Sequence, residues 1–180
     1  MGIKWEKVFE NEKRQFEKMS EAEKFVYFLL LQFGSPYGWG KENPETSDCS
    51  GAVCLALYAA TGLLIRTTAD DLYRRVFTVK NPDRTMIRAA FFVTNRDKVH
   101  GDGFVKAGTA THAAGLLDDG VILNSQDPGA RVRNLADIKA WYEKNNATMA
   151  IRGLDKGALE RIAKGGNAYG IDPEFRRYFD

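Results

Sequence analysis

The sequence predicts an α+β fold in which N-terminal helices pack on an antiparallel sheet. Three observations carry this reading. Apolar residues recur at helical spacing through the first third of the chain. The second half holds short apolar runs separated by turn signals, the clearest being Asp118-Asp119-Gly120. Its 180 residues favour one domain, with room for a sizeable core and for appended ends.

The elements follow in order. Trp5, Phe9, Phe16 and Met19 are spaced for one face of a charged, amphipathic N-terminal helix. Ser20 and Glu23 form a capping box before Phe25, Val26, Phe28, Leu29, Leu30 and Phe33, and Gly34 ends that helix. A turn-rich segment, Gly34-Ser35-Pro36-Tyr37-Gly38-Trp39-Gly40, leads to the stretch on which the chain is organised. Thr46-Ser47-Asp48 supplies N-cap residues, Cys49 to Thr61 is almost wholly apolar after Gly51, and Gly62 is a C-terminal stop. A buried helix over 49–61 is expected. A second helix is expected over 69–76, capped by Thr67 or Thr68. Strands are expected at 86–93, 111–117, 121–125 and 148–151, with polar loops around Asn81-Pro82-Asp83 and over 95–103 and a turn at Asp127-Pro128-Gly129. A helix over 134–142 should place Leu135, Ile138 and Trp141 near one face, and a short helix near Leu159 opens the tail.

Composition excludes several classes. The net charge is +2 with mixed signs and no basic block, which argues against nucleic acid. No apolar run approaches the ~18 residues of a membrane span. The N-terminus has acidic residues and no apolar core, so no secretory signal is expected. Two cysteines five apart on one helix cannot easily bridge each other.

The chemistry centres on Cys49. In the first turn of a helix, unpaired N–H groups and the dipole favour a thiolate. Gly51 adds no side chain, which would let a substrate backbone approach the thiol. Against this, most helix cysteines are packing residues, and Cys54, among Val53, Leu55 and Leu57, reads as one. A thiol nucleophile needs a base and the base an orienting group. Of two histidines, His100 lies in a polar loop, whereas His112 opens a strand. Across the Asp118-Asp119-Gly120 turn, Asn124 falls near the register facing His112, where its amide oxygen would fix the ring tautomer. A Cys₂His₂ zinc site from Cys49, Cys54, His100 and His112 has the wrong spacing: the histidines are twelve apart and the cysteines point different ways. There is no phosphate-cradling loop and no His-Glu-x-x-His, so neither cofactor nor metal is expected.

The combination of Pro36-Tyr37-Gly38-Trp39-Gly40, Asp48-Cys49-Ser50-Gly51, Arg66-Thr67-Thr68-Ala69, Thr111-His112-Ala113-Ala114-Gly115-Leu116 and Ile122-Leu123-Asn124 resembles the NlpC/P60 cysteine peptidases. The resemblance covers roughly 20–151, a catalytic domain between a charged arm (1–19) and a helical tail (152–180). It implies a papain-like core and hydrolysis of peptide bonds in peptidoglycan stem peptides. It makes Cys49 the nucleophile, His112 the base and Asn124 the third polar residue, where the family often has histidine. Tyr37, Asp48 and Ser50 match positions lining the substrate site, as do Arg66 and Thr68. Lys41 stands where a second glycine is usual, Arg88-Ala89 where Gly-Asp is usual, and the stretch before His112 is long.

The resulting expectation is a thiol endopeptidase acting on stem peptides or muropeptides through a thioester. Asp48 either binds the free amine of an N-terminal alanine, favouring cleavage after γ-D-glutamate, or only caps its helix. Asparagine caps about as well as aspartate, so Asp48→Asn should leave stability unchanged. Two alternatives stay open: a non-catalytic module that binds muropeptides or serves a phage structure, and a thiol amidase or acyltransferase. Without a secretory signal, the protein is expected to be made in the cytoplasm and to reach the wall after lysis, through a holin or on a phage tail, which suggests a phage or prophage origin.

Overall fold

The computed structural model describes residues 4–43, 45–100 and 103–165. The tail beyond Gly165 therefore lies outside the described residues. Helix α1 (Trp5–Lys18) leads into α2 (Glu21–Leu31). The capping box forms as expected: Ser20 Oγ accepts from the Glu23 N–H, and Glu23 Oε2 accepts from the Ser20 N–H at 2.7 Å. Phe16 and Phe9, both predicted on the apolar face of α1, differ in burial. Phe16 packs on Tyr27 and Phe28 of α2, while Phe9 is exposed.

Two short strands, β1 (Glu42–Asn43) and β2 (Thr46–Ser47), pair just before α3 (Cys49–Thr61). The bounds of α3 are those the sequence predicts. Asp48 caps its start, and Gly62 closes its end at φ 72°, a left-handed conformation that glycine adopts without strain. Most of α3 is buried, because it lies between α2 and the sheet. The next helix begins as predicted, with Thr68 capping α4 (Ala69–Asp71), but continues over Leu72–Val76 as a wide π turn.

The central sheet is antiparallel, in the order β3 (Val79–Lys80), β10 (Ala147–Gly153), β4 (Arg88–Thr94), β7 (Ala110–Asp118), β8 (Val121–Gln126) and β9 (Gly129–Asn134). Two strands of it, and a separate hairpin, correct the sequence reading. The 95–103 stretch is not simply a loop: Lys98–His100 (β5) and Gly103–Val105 (β6) pair as a separate hairpin. Strand β3 occupies the start of the segment read as a loop. Strand β9 follows the Asp127-Pro128-Gly129 turn where no strand was expected; its Arg131 and Arg133 are exposed, as suits a sheet edge.

Each face of the sheet carries a core. Phe91, Ala113 and Leu123 meet Phe25, Leu29, Val53 and Leu57 of α2 and α3, with Leu159 of α6 (Lys156–Lys164) completing that layer. On the other face Phe92, Ala114, Leu116 and Ile122 meet Leu135 and Tyr142 of α5 (Leu135–Lys144). Here the expected inward residue is displaced by one. Trp141 is exposed and Tyr142 is buried, because positions 135, 138 and 142 lie closer to one stripe.

Candidate active site

Strands β7 and β8 pair only from Gly115 and Leu123 toward their turn. On the other side of that point β7 pairs with β4 and β8 with β9. The N-terminus of α3 approaches the divergence: Ser47 accepts a hydrogen bond from Ser125 Oγ of β8, and the Cys49 sulfur lies against the backbone N–H of Ala113 of β7. Cys49 is partly buried, and Cys54, five residues along, is fully buried in the core; both are free thiols.

His112 and Asn124 project from the same sheet face on either side of the divergence. His112 Nε2 is 2.5 Å from Asn124 Oδ1, and both residues are buried. Asn124 Nδ2 donates to Gln126 Oε1 at 3.3 Å, which orients the amide with its oxygen toward the ring. Because that oxygen can only accept, Nε2 carries the proton and Nδ1 keeps the basic lone pair. The imidazole also stacks on Tyr142, at 5.5 Å and 21°.

A cleft of about 970 Å³ brings the predicted residues together. Cys49 and His112 line it, as do Tyr37, Asp48, Ser50, Arg66 and Thr68. Asn124 stands behind His112. Gly51 has a different role from the one expected. A Cβ there would sit 2.1 Å from the Lys41 carbonyl oxygen, so the glycine admits the protein's own preceding segment and not a substrate.

Beside the thiol lies a buried ionic cluster. Asp48 Oδ1 accepts from the Gly51 N–H at 2.6 Å and from Ser50 Oγ at 3.0 Å. Its Oδ2 accepts from the Gly40 N–H at 2.9 Å and from Arg66 Nη2 at 2.7 Å. These four bonds fill the carboxylate's acceptor positions. Arg66 also pairs through Nε with Glu42, at 3.1 Å, and donates through Nη1 to Ser50 Oγ and the Thr67 carbonyl. Two carboxylates around one guanidinium leave a formal charge of −1. Glu42 and Tyr142 were missed by the sequence reading. A lone Glu in a turn-rich segment carries no burial signal, whereas the spacing of Tyr142 from Leu135 and Ile138 was there to be used.

The electrostatics correct one further expectation. Burial and then the Asp48 carboxylate push the Cys49 thiol up to about 11, against the opposing pull of the Ala113 and Ser50 N–H groups and of Arg66. Burial therefore favours the neutral form of the Cys49 thiol, and the helix start does not by itself ionise it. Among the described residues no group of three or more His, Cys, Asp or Glu side chains is placed to hold a metal ion, and no helix is long and apolar enough to cross a membrane.

Known proteins bear on this geometry. The murein DD-endopeptidase MepH of Escherichia coli K12 is 25% identical over 120 residues, 65% of this chain and 41% of MepH. This chain thus spans well under half of MepH's length. Among solved structures, a Staphylococcus aureus Mu50 protein described as similar to lipoprotein, NLP/P60 family, superposes with a TM-score of 0.56. It is 19% identical over 74% of this chain and 41% of its own. The peptidoglycan hydrolase RipB of Mycobacterium tuberculosis gives 0.52 at 19% identity, over 75% of this chain and 65% of its own. These structural likenesses carry the fold. The NlpC/P60 family model matches residues 34–152, from the turn after α2 into β10, and the chain belongs to that family.

Proposed function

We propose that this chain is a cysteine endopeptidase that hydrolyses peptide bonds in peptidoglycan stem peptides, after γ-D-glutamate. The observation that carries the reading is the buried His112 Nε2–Asn124 Oδ1 bond in the wall of the cleft that also holds Cys49. It leaves Nδ1 as the basic nitrogen of the ring, as a thiol protease requires. The neutral thiol gives its proton to His112 as the sulfur attacks the acyl carbon. The Cys49 N–H, at the start of α3, helps hold the oxyanion. Collapse returns the proton to the leaving amine and forms a thioester. Water, deprotonated by His112, then releases the acid and the free thiol.

The bond choice rests on charge. The net negative cluster of Glu42, Asp48 and Arg66 lies beside the thiol and favours a substrate whose N-terminal ammonium is close by. Because the acceptor positions of Asp48 are filled, it acts here through its charge and not through a direct contact.

Incubation with free stem peptides, followed by mass analysis of the fragments, tests the reading. Wild type should cut L-Ala-γ-D-Glu-diaminopimelate-D-Ala to give the dipeptide L-Ala-γ-D-Glu, while Cys49→Ala should give none. Equal products from both proteins would refute hydrolysis at Cys49. Consumption of an added amine acceptor would identify acyl transfer instead. Substrates with free and acylated N-termini test the charge argument, since only the free amine should be preferred.

A further inference from the structure

Tyr142 enters the cleft from the last turns of α5 and is 8% exposed. Its ring is held on three sides. It stacks on Phe92 at 4.0 Å and 23°, lies over His112 at 5.5 Å and 21°, and meets the edge of Trp141 at 4.8 Å. Packing therefore fixes where the hydroxyl points. Yet that hydroxyl has no hydrogen-bond partner among the described residues. A buried hydroxyl left unpaired in a native protein is rare and unfavourable, and it calls for an acceptor from outside the chain.

We propose that the Tyr142 hydroxyl donates a hydrogen bond to an oxygen of the substrate's acyl group when that group is bound at Cys49. The inference rests on the hydrolase reading above. Two further facts support it. Burial, and then the proximity of Cys49 and Tyr37, hold the phenol well above the usual tyrosine range, so it keeps its proton and acts as a donor. A peptide substrate presents carbonyl and carboxylate oxygens, the acceptors such a donor fits, and a preset donor beside a nucleophile is worth most where negative charge develops. Tyr142 would then join two tasks, with its ring against the base and its hydroxyl on the acyl group.

Tyr142→Phe tests this, because it keeps the stacking and removes only the oxygen. On the stem tetrapeptide L-Ala-γ-D-Glu-diaminopimelate-D-Ala, kcat/KM should fall about 10- to 100-fold. The melting temperature should hold or rise, because an unpaired buried hydroxyl is lost. Alkylation of Cys49 by iodoacetamide should be unchanged, because His112 keeps its neighbour. A clear fall in melting temperature would reveal a structural partner for the hydroxyl and overturn the proposal. Calorimetric binding of the same peptide to Cys49→Ala, with and without Tyr142→Phe, reads the contact without turnover. Equal affinities together with equal kcat/KM would overturn the Tyr142 contact and leave the hydrolase reading standing. A peptide neither bound by Cys49→Ala nor cleaved by wild type would overturn both.

Discussion

Asp48→Asn separates a helix cap from an ion-pair partner. Judged as a cap, the substitution is nearly neutral, because asparagine and aspartate start helices about equally well. In the structure, one carboxylate oxygen serves the cap while the other faces two donors, the Gly40 N–H and Arg66 Nη2. An amide NH₂ in that second position sets donor against donor, and turning the amide over moves the same clash to the Gly51 N–H. The Asp48–Arg66 pair is also buried, with side-chain exposures of 11% and 9%. Removing one partner of a buried pair costs about 3–5 kcal/mol. Glu42 still holds Arg66 through Nε, so the lower end applies, about 3 kcal/mol. For a chain of this size that is a fall of roughly 6–12 °C in melting temperature. Thermal and urea unfolding of the variant measure it, and a double-mutant cycle with Arg66→Met should give a coupling of about 1–3 kcal/mol. A loss below about 1 kcal/mol would refute the argument and return Asp48 to a simple cap.

Three further outcomes are expected. Cys54→Ala should cost on the order of 1 kcal/mol in urea unfolding and keep peptidase activity, since its thiol is packed in the core; an inactive but folded Cys54→Ala would reverse the assignment of the two thiols. Alkylation of Cys49 by iodoacetamide should accelerate about tenfold per pH unit from 7 toward 10, because only the thiolate reacts and burial raises the thiol to about 11; a plateau below pH 7 would show a preformed thiolate. Gly51→Ala drives a methyl into the Lys41 carbonyl and should destabilise by about 1–3 kcal/mol with kcat/KM falling only as far as the folded fraction falls; a stable but inactive variant would restore a substrate-facing role for Gly51.

The parts of the fold governed by local chemistry were legible in the sequence. Asp48 and Gly62 bracket α3, the Ser20–Glu23 box starts α2, and Asp118-Asp119-Gly120 turns β7 into β8. The turn also brings His112 and Asn124 onto one sheet face, although the Gly115–Leu123 register, continued, sets Gln126 opposite His112 and makes Asn124 its diagonal neighbour. Pairing between distant segments was less visible. Strand β9 carries Arg131 and Arg133 on an exposed edge, so no buried alternation marks it. The β5–β6 hairpin exposes Val99 and Phe104, so it lacks the half-buried pattern that signals a strand. Trp141 and Tyr142 are adjacent aromatics, and choosing which one faces inward needs the helix phase to within one residue. Glu42 meets Arg66, 24 positions later, so nothing in its local sequence marks it as buried. The upward shift of the Cys49 thiol likewise depends on burial by the whole assembly.

The divergence of β7 and β8 has a consequence for how this domain can lengthen. Because successive strand residues face opposite ways, one residue added within β8 between Val121 and Asn124 would carry the amide to the far side of the sheet and strip the imidazole of its partner. The same addition inside the β5–β6 hairpin should cost far less. That excursion is pinched at its base by two backbone bonds, Gly108 N–H to the Thr94 carbonyl and Thr94 N–H to the Thr109 carbonyl, which hold β7 against β4 whatever the hairpin's length. Insertions should therefore be unequally tolerated along one continuous ribbon: the long stretch ahead of His112 can vary, while the few residues between His112 and Asn124 are counted.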